Sequence, residues 1–327
     1  MTQLPVIQPG QPGRRDTQPP LFAKVSIVGL GLIGGSIALR ARELWPTSLV
    51  IAVDNKDVLE TAMRLHAIDV AADDLFVLAE ADLIVLAAPV RQNIALLGQL
   101  DDHIKKPAIV TDTGSTKRDI VKAARHLPAR FTFIGGHPLG GAAKGGLEHA
   151  RSDLFAGRPW LLTPDGEAFH PSSLDSDRVQ RQATEGLEQL SAFIRALGSE
   201  PRMLTADAHD RLVAFLSHLP QIAASALMQV VGDAVGPDGL ALAGRGLADT
   251  TRLAGSPPDI WRDIAATNAD QIGPALDELI GLLQDLRRDL PDGDRLTDVF
   301  SHASGLRDLL QKQGSKVSSA DSASRQA

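Results

Sequence analysis

The sequence predicts a protein of two parts, an α/β domain with a mostly parallel sheet and, after it, an all-α domain. In the first half of the 327 residues, short apolar runs alternate with helical stretches, a pattern typical of a sheet with helices on both faces. The second half has helical periodicity, and a polar stretch rich in Pro, Ser and Asp over 164–177 separates the two patterns. We interpret that stretch as a linker or a surface loop.

Apolar runs bounded by polar or turn residues predict the individual elements. We expect six strands, over residues 25–28, 49–53, 83–87, 108–111, 131–134 and 160–162. Periodic apolar positions predict three helices in the second part, over 179–197, 207–231 and 259–290, with Gly198 as the C-cap of the first. The last helix has apolar residues on more than one face, which favours burial in a homodimer.

Three glycines lie between the first predicted strand and a helix. Gly29 permits a sharp turn, Gly31 lets the backbone approach a pyrophosphate, and Gly34 allows close packing of helix on strand. The second strand ends in Asp54, about 20 residues after the last glycine, the spacing of an acid that binds the ribose hydroxyls. The pattern predicts a Rossmann-type dinucleotide site. Because a carboxylate repels the 2′-phosphate of NADP, we expect NAD.

Composition and the chain ends limit the remaining possibilities. The chain has no cysteine, which removes thiolate chemistry and disulfides, and its net charge of −7 argues against general nucleic-acid binding. We find no apolar run long enough to cross a bilayer and no secretory signal, so we expect a cytoplasmic protein without a membrane partner. We also expect no metal ion. The predicted organisation is a disordered tail over 1–22, a Rossmann domain over 23–165, a helical substrate and dimerisation domain over 166–312, and a disordered tail over 313–327.

Two segments follow predicted strands at the edge where doubly wound sheets bind ligands, 111–117 and 135–141. His137 is flanked by glycines and a proline, so we expect it on a loop that presents the imidazole to a cleft. With an ordinary pKa of ~6.5, it suits removal of a proton from a hydroxyl whose carbon loses hydride. A surface histidine without a role is the alternative. Ser115 either caps the following helix or bonds the substrate hydroxyl or the carboxamide of the cofactor.

In the second part, a proline and glycines interrupt helical stretches near 217–221 and 244–252, which suggests polar groups freed for a ligand. Arg252 is a candidate clamp for a carboxylate, with a surface salt bridge as the alternative. His218 is either a binding residue or a core histidine. His209 lies nine residues earlier, on the opposite side of an ideal helix, so only one of the two should face the cleft unless Pro220 bends the chain, and we favour His218.

Seven motifs, in order, resemble the prephenate/arogenate dehydrogenases of tyrosine biosynthesis. They are Gly-Leu-Gly-Leu-Ile-Gly-Gly-Ser (29–36), Ala-Pro-Val (88–90), Thr-Asp-Thr-Gly-Ser-Thr-Lys (111–117), Gly-Gly-His-Pro-Leu-Gly-Gly (135–141), Ser-His-Leu-Pro (217–220), Asp-Thr-Thr-Arg (249–252) and Asp-Ile-Trp-Arg-Asp-Ile (259–264). The resemblance implies NAD-dependent oxidative decarboxylation of prephenate to 4-hydroxyphenylpyruvate and CO2. Arogenate dehydrogenase and a dual-specificity cyclohexadienyl dehydrogenase are the alternatives.

The resemblance also implies roles for individual residues. His137 is the expected catalytic base and Ser115 its partner at the substrate hydroxyl. The expected substrate-binding residues are His218, Gln221 and Arg252, and the expected cofactor-binding residues are Gly29, Gly31, Leu32, Ile33, Gly34, Asp54, Pro89 and Thr113.

Two departures leave the choice of substrate open. Gln221 stands where many members that use prephenate have histidine, and Ala142-Ala143 replaces a common Thr-Glu pair. A β-hydroxyacid dehydrogenase is a further alternative, but that class uses a lysine in its helical domain and this chain has none between Lys144 and Lys312. A non-catalytic NAD-binding sensor is the other alternative, and the combined presence of the four candidate residues Ser115, His137, His218 and Arg252 argues against it.

Overall fold

The computed structural model describes residues 19–141, 145–165 and 176–324. Its first domain is built on one eight-stranded sheet with strand order β3-β2-β1-β4-β5-β6-β7-β8. The strands are β1 Lys24–Val28, β2 Leu49–Val53, β3 Val70–Ala72, β4 Leu83–Leu86, β5 Ala108–Asp112, β6 Phe131–Pro138, β7 Pro159–Pro164 and β8 Glu200–Met203. Every neighbouring pair is parallel except β6 and β7. The predicted mostly parallel sheet and all six predicted strands are therefore confirmed.

Two strands, β3 and β8, were not expected from the sequence. They have three and four residues, Val-Ala-Ala and Glu-Pro-Arg-Met, and neither contains an apolar run of the usual length. Each lies at one edge of the sheet, where a single neighbour supplies the backbone hydrogen bonds. Local sequence therefore carries little signal for them.

Helices cover both faces of the sheet, and each face has its own apolar cluster. The helices of this domain are α1 Leu32–Leu44, α2 Lys56–Arg64, α3 Val90–Leu97, α4 Leu100–His103, α5 Arg118–Ala124 and α6 Ser176–Ala196. Side chains that alternate along the central strands enter opposite clusters, as in β1, where Ile27 faces one side and Val28 the other.

Helix α6 belongs to the α/β domain, although the sequence placed it after the domain boundary at 165. Its Phe193 stacks on Trp45 with ring centroids 5.3 Å apart and meets Phe22 edge-on at 5.6 Å. Gly198 ends the helix at φ +94°, as expected for a C-terminal glycine. Since β8 also pairs with β7, the first domain extends to about residue 204.

Phe22 also corrects the expected N-terminal tail over 1–22, because it is buried in the core, while residues 1–18 lie outside the described residues.

The second domain is helical, as predicted. It contains α7 Ala206–Val213, a π-helical turn Ala214–His218, α8 Leu219–Leu240, α9 Arg245–Thr250, α10 Pro258–Asp289 and α11 Asp294–Ser324. The helix α11 overturns the expected disordered tail from 313 as far as Ser324, because no proline after Pro291 interrupts the hydrogen-bond ladder.

One segment of the described chain, Ala206–Leu240, is long and apolar enough to cross a bilayer, with a mean hydropathy of 1.3 in its most apolar window. The expectation that the chain has no such run is therefore wrong. Only 28% of that window is buried. The exposed apolar side chains include Leu227, Val230 and Val235 on α8.

Candidate active site

A cleft of about 1020 Å³ lies between the two domains. Its walls come from the loops after β1, β2, β4 and β5 and from the helical segments around Ser217, Ser256 and Trp261. This is the edge of a doubly wound sheet at which ligands bind. The expected cofactor-binding residues that line it are Gly29, Gly31, Leu32, Ile33, Asp54, Pro89 and Thr113.

The glycine turn after β1 leaves room for a phosphate group. Gly29 has φ +97°, and a Cβ there would lie 2.8 Å from the backbone of Ala87. Gly34 does not line the cleft but packs under the turn, where a Cβ would overlap the carbonyl oxygen of Gly29. A Cβ on Gly31 would meet nothing within 4 Å, so this glycine borders open space.

The N-terminus of α1 fits an anion for a second reason. No side chain caps it, and its first turn has no acidic residue. Its amide groups and the helix dipole therefore favour a bound phosphate. The Asp54 carboxylate accepts hydrogen bonds of 2.6 Å from the amides of Leu30 and Asn55, which fix it at the end of β2 beside this turn. These features fit a dinucleotide with its ribose at Asp54.

His137 lies within β6 and not on a loop, which corrects the sequence-based expectation. The strand continues to Pro138 because it pairs with β7, placing His137 opposite Leu161. The glycines before His137 serve close packing: a Cβ on Gly136 would lie 2.6 Å from the carbonyl oxygen of Asp112. His137 is only 8% exposed and does not itself line the cleft, although Gly140 further along the chain does.

A buried hydrogen-bond chain runs from His137 into the helical domain. Its Nδ1 is 2.8 Å from Nε2 of His209, and Nδ1 of His209 is 2.8 Å from Oδ1 of Asp210. Both partners are fully buried at the start of α7. The expectation that His209 faces away from the site is therefore wrong.

The π-helical turn explains why His209 and His218 both face the site. The amide of Leu219 donates to the carbonyl of Ala214, five residues earlier, and Pro220 has no amide hydrogen to donate to the next carbonyl. The turn holds one residue more than an α-helical turn. His209 and His218 are nine residues apart and would lie on opposite sides of a regular α-helix. The extra residue in the wider turn brings them toward the same side.

His218 is fully buried at the end of this turn. Its Nδ1 is 3.2 Å from the Asn268 side-chain nitrogen, and its ring meets Trp261 edge-on at 5.9 Å. Within the described part of the chain, its Nε2 has no hydrogen-bond partner. This buried ring nitrogen lies beside the cleft-lining residues Ser217 and Trp261, so a ligand bound in the cleft could supply its missing hydrogen-bond partner.

Gln221 and Arg252 do not line the cleft. The Gln221 amide donates to the carbonyl of Leu253 at 2.7 Å, and its oxygen accepts from the Ser256 hydroxyl at 3.1 Å. Gln221 thus holds the short turn Arg252–Gly255 and does not line the cleft. Arg252 is exposed on that turn. Ala142-Ala143 lie outside the described residues.

Ser115 lines the cleft, as expected for a substrate-contacting residue. It does not cap α5, whose N-cap position is Lys117. The Asp210 carboxylate instead accepts from the amides of Lys117 and Arg118, at 2.7 and 2.9 Å. The capping role is therefore filled from the helical domain, and the Ser115 hydroxyl is left to the cleft.

Sequence reasoning also missed the ion pair beneath the site. Lys117 and Asp112 are both fully buried and directly hydrogen-bonded. The Asp112 carboxylate also accepts from the amides of Gly114 and Gly136, at 2.7 and 3.1 Å. It thereby joins the segment that carries Ser115 to the strand that carries His137.

Electrostatics keep the three imidazoles neutral. Burial holds the pKa of His137 well below its usual range, and the charge of Lys117 acts in the same direction, as would protonation of His209 or His218. Burial also lowers the pKa of His209, although the hydrogen bond that its ring donates to Asp210 acts in the opposite direction, and burial lowers the pKa of His218 to about 4. At neutral pH, His137 is therefore a neutral imidazole with one basic nitrogen, the state that a general base requires.

Polar contacts fix the helical domain over the sheet. Arg118 pairs with Asp210 and Asp270, and its guanidinium also donates to the side chain of Asn268. The hydroxyls of Thr116 and Thr267 are 2.8 Å apart. Across the described residues, no group of three His, Asp or Glu side chains is placed to hold a metal ion.

Comparison with known proteins agrees with this architecture. Residues 37–175 match the family model "Prephenate dehydrogenase, nucleotide-binding domain" and residues 205–302 match "Prephenate dehydrogenase, dimerization domain". The prephenate dehydrogenase of Bacillus subtilis is 32% identical over 294 residues, which cover 88% of this chain and 76% of that protein.

Two solved structures are similar over almost their full length. Arogenate dehydrogenase of Synechocystis has a TM-score of 0.69 and 30% identity, covering 88% of this chain and 99% of that one. Prephenate dehydrogenase of A. aeolicus, in complex with hydroxyphenyl propionate and NAD+, has a TM-score of 0.76 and 26% identity, covering 88% and 98%.

The nucleotide-binding sheet, the open glycine turn and the neutral buried histidine define a dehydrogenase with a nucleotide cofactor. The chain belongs to the prephenate dehydrogenase family, whose enzymes are oxidoreductases of tyrosine biosynthesis. The nucleotide-binding domain, the position of Asp54 and the NAD+ in the A. aeolicus structure support NAD as its cofactor.

Proposed function

We propose that this protein catalyses the NAD-dependent oxidative decarboxylation of prephenate to 4-hydroxyphenylpyruvate and CO2. The observation that carries the proposal is His137, a neutral buried histidine whose strand is linked through Asp112 to the segment of Ser115. Ser115 lines the same cleft as the glycine turn and Asp54. The 32% identity to the B. subtilis enzyme, named prephenate dehydrogenase, supports prephenate as the substrate. Arogenate is the second candidate because of the similarity to the Synechocystis enzyme.

In this mechanism, the glycine turn and Asp54 would hold NAD, which would supply the acceptor for the hydride of the carbinol carbon of the substrate ring. His137 takes the proton of the hydroxyl on that carbon, and Ser115 bonds the same hydroxyl. The ring carboxylate leaves as CO2 because its electrons complete an aromatic ring. The remaining task of the protein is to orient the substrate and exclude water.

We propose His218 as a substrate-binding residue, supported by its unpartnered Nε2. Arg252 stays a candidate for a substrate carboxylate, because its turn leads directly into Ser256 and Pro257, which line the cleft. Gln221 supports that turn, so its effect on the substrate is indirect.

We also propose a cytoplasmic homodimer that binds neither nucleic acid nor membrane. The match to a dimerization domain and the exposed apolar side chains of the helical domain support self-association. Contact with a second copy would cover the apolar face of Ala206–Leu240.

An assay of NADH absorbance with prephenate and with arogenate tests the proposed function. Prephenate should give NADH together with 4-hydroxyphenylpyruvate, and arogenate should give tyrosine if it is used. A His137→Asn variant is the matched control for contaminating activity. Failure to reduce NAD+ with either substrate would refute the proposal, and exclusive turnover of arogenate would reassign the substrate.

A further inference from the structure

We propose that His209, held by Asp210, is a positioning residue that keeps a proton on Nδ1 of His137 and leaves Nε2 as the free basic nitrogen. The proposal rests on the proposed function, in which His137 removes the hydroxyl proton. It concerns the state of His137 before any substrate is bound, so it can be tested separately.

The two carboxylate oxygens of Asp210 have four hydrogen-bond partners. Oδ1 accepts from the Lys117 amide at 2.7 Å and lies 2.8 Å from Nδ1 of His209. Oδ2 accepts from the amide and Nε of Arg118, at 2.9 and 3.1 Å. Burial alone would raise the pKa of Asp210, but the hydrogen bonds from His209 and Arg118 lower it. Asp210 is therefore a carboxylate and can only accept.

The protonation of His209 follows from that carboxylate. Nδ1 must carry a proton, because a lone pair facing Oδ1 of Asp210 would be repelled. Since burial lowers the pKa of His209, the ring holds one proton and its Nε2 has a lone pair. That lone pair faces Nδ1 of His137 at 2.8 Å, so Nδ1 of His137 is the donor. A neutral imidazole with Nδ1–H has its base at Nε2.

The surrounding charges do not replace this contact. Lys117, Asp112 and His218 are the other ionisable groups that act on the two rings. Lys117 is hydrogen-bonded to Asp112, and His218 contacts Asn268. Within the described part of the chain, the His137 ring is hydrogen-bonded to His209. His209 thus selects which nitrogen of His137 is basic.

The arrangement also stabilises the product of proton transfer. When Nε2 of His137 gains the proton, the O–H bond of the substrate breaks, an N–H bond forms, and the ring becomes an imidazolium. The Nδ1–H of this positively charged ring then donates to His209, and a hydrogen bond from a charged donor is stronger than one from a neutral donor. The Asp210 carboxylate, hydrogen-bonded to the far side of His209, balances that positive charge.

Nitrogen NMR of the full-length protein labelled with 15N-histidine, without cofactor or substrate, tests the tautomer. In the wild-type protein, we expect His137 with Nδ1 protonated and Nε2 bare. The His209→Leu variant should lose this preference. The His209→Gln variant should keep it, because the amide oxygen of glutamine can accept from Nδ1 at about the position of the lost nitrogen.

Steady-state kinetics give the second readout. His209→Leu should lower kcat by roughly 10–10²-fold with little change in KM, the usual size of an effect exerted through an orienting partner, and His209→Gln should recover most of the loss. Asp270→Asn is the matched control, because it breaks a contact of Arg118 between the domains and touches neither ring. It should keep the wild-type tautomer and rate.

Two outcomes would overturn the proposal: a proton on Nε2 of His137 in the wild-type protein, or equal losses in His209→Leu and Asp270→Asn. If His209→Leu does not fold, the wild-type and His209→Gln tautomers still decide. Failure to oxidise either substrate counts against the proposed function, whereas the tautomer alone supports or refutes the positioning role.

Discussion

At the scale of single residues, burial sets the protonation state of His137. Because burial holds its pKa well below the usual range, the imidazole stays neutral through neutral pH and becomes protonated only in more acidic solution. In the proposed mechanism the neutral form is the base, so kcat/KM should be flat near neutrality and should fall only below pH ~6.5, the ordinary value for histidine. A pH profile of kcat/KM, which reports the pKa values of the free enzyme, checks this, and an acidic limb centred at or above that value would contradict it.

Replacement of the same residue gives a second expectation. His137→Asn should lower kcat by roughly 10²–10⁴-fold, the usual contribution of a positioned general base. Calorimetric binding of NAD should stay near the wild-type value, because the glycine turn and Asp54 are unchanged. Near-normal turnover of the variant would remove His137 from the catalytic role.

We propose that Asp54 sets the preference of the enzyme for NAD over NADP. Its carboxylate is fixed by the amides of Leu30 and Asn55 at the cleft, where it would repel a 2′-phosphate. Asp54→Ser should therefore weaken NAD binding and narrow the preference over NADP, measured as the ratio of kcat/KM values. Asp57→Ser, an exposed acid on α2 that does not line the cleft, is the control. A wild-type enzyme that prefers NADP would contradict the assignment.

Arg252 is expected to act on substrate affinity. The substrate carboxylate is present in both the ground state and the transition state. Loss of the arginine that binds it should therefore appear mainly as a higher KM. Arg252→Ala should raise KM far more than it lowers kcat, with Arg245→Ala, an exposed arginine at the start of α9, as the control. An unchanged KM for both candidate substrates would assign Arg252 to another role.

At the scale of elements, β6 shows that its glycines serve packing. A Cβ on Gly136 would lie 2.6 Å from the Asp112 carbonyl and 2.9 Å from the Trp160 indole nitrogen. Gly136→Ala should lower the free energy of unfolding by about 1–3 kcal/mol, as overpacking does, and should reduce activity by moving His137. Thermal melting checks the stability. Gly305→Ala on α11, where a Cβ meets nothing within 4 Å, should not destabilise the protein.

The elements also show what a sequence can reveal. The strands and the glycine turn were predictable because apolar runs and glycine spacing are local signals. The position of His209 was not, because the phase of its helix depends on one π-type hydrogen bond near Pro220. Helix α6 was assigned to the wrong domain for a similar reason: a periodic apolar face looks alike whether it packs on a sheet or on other helices. The sequence also could not show that the Gln221 side chain bonds the turn at Leu253, because the two residues are distant along the chain.

At the scale of the whole molecule, the helical domain leaves much apolar surface exposed in a single chain. Exposed apolar side chains include Val230 on α8, Leu283 on α10 and Phe300 on α11. Large exposed apolar surfaces in soluble proteins mark contact sites, and a symmetric dimer is the commonest way to cover one. Light scattering should therefore report about twice the 34.7 kDa of one chain.

A charge within that surface should separate the copies. Val230 is exposed in the single chain, so Val230→Asp should not unfold the protomer. Burying the new carboxylate in an interface would be costly, so the variant should break the dimer. Leu65→Asp, an exposed apolar residue of the α/β domain, is the control and should leave the mass unchanged. If the wild-type protein is a monomer with full activity at working concentration, the exposed helical surface has another purpose, and the dimer proposal fails.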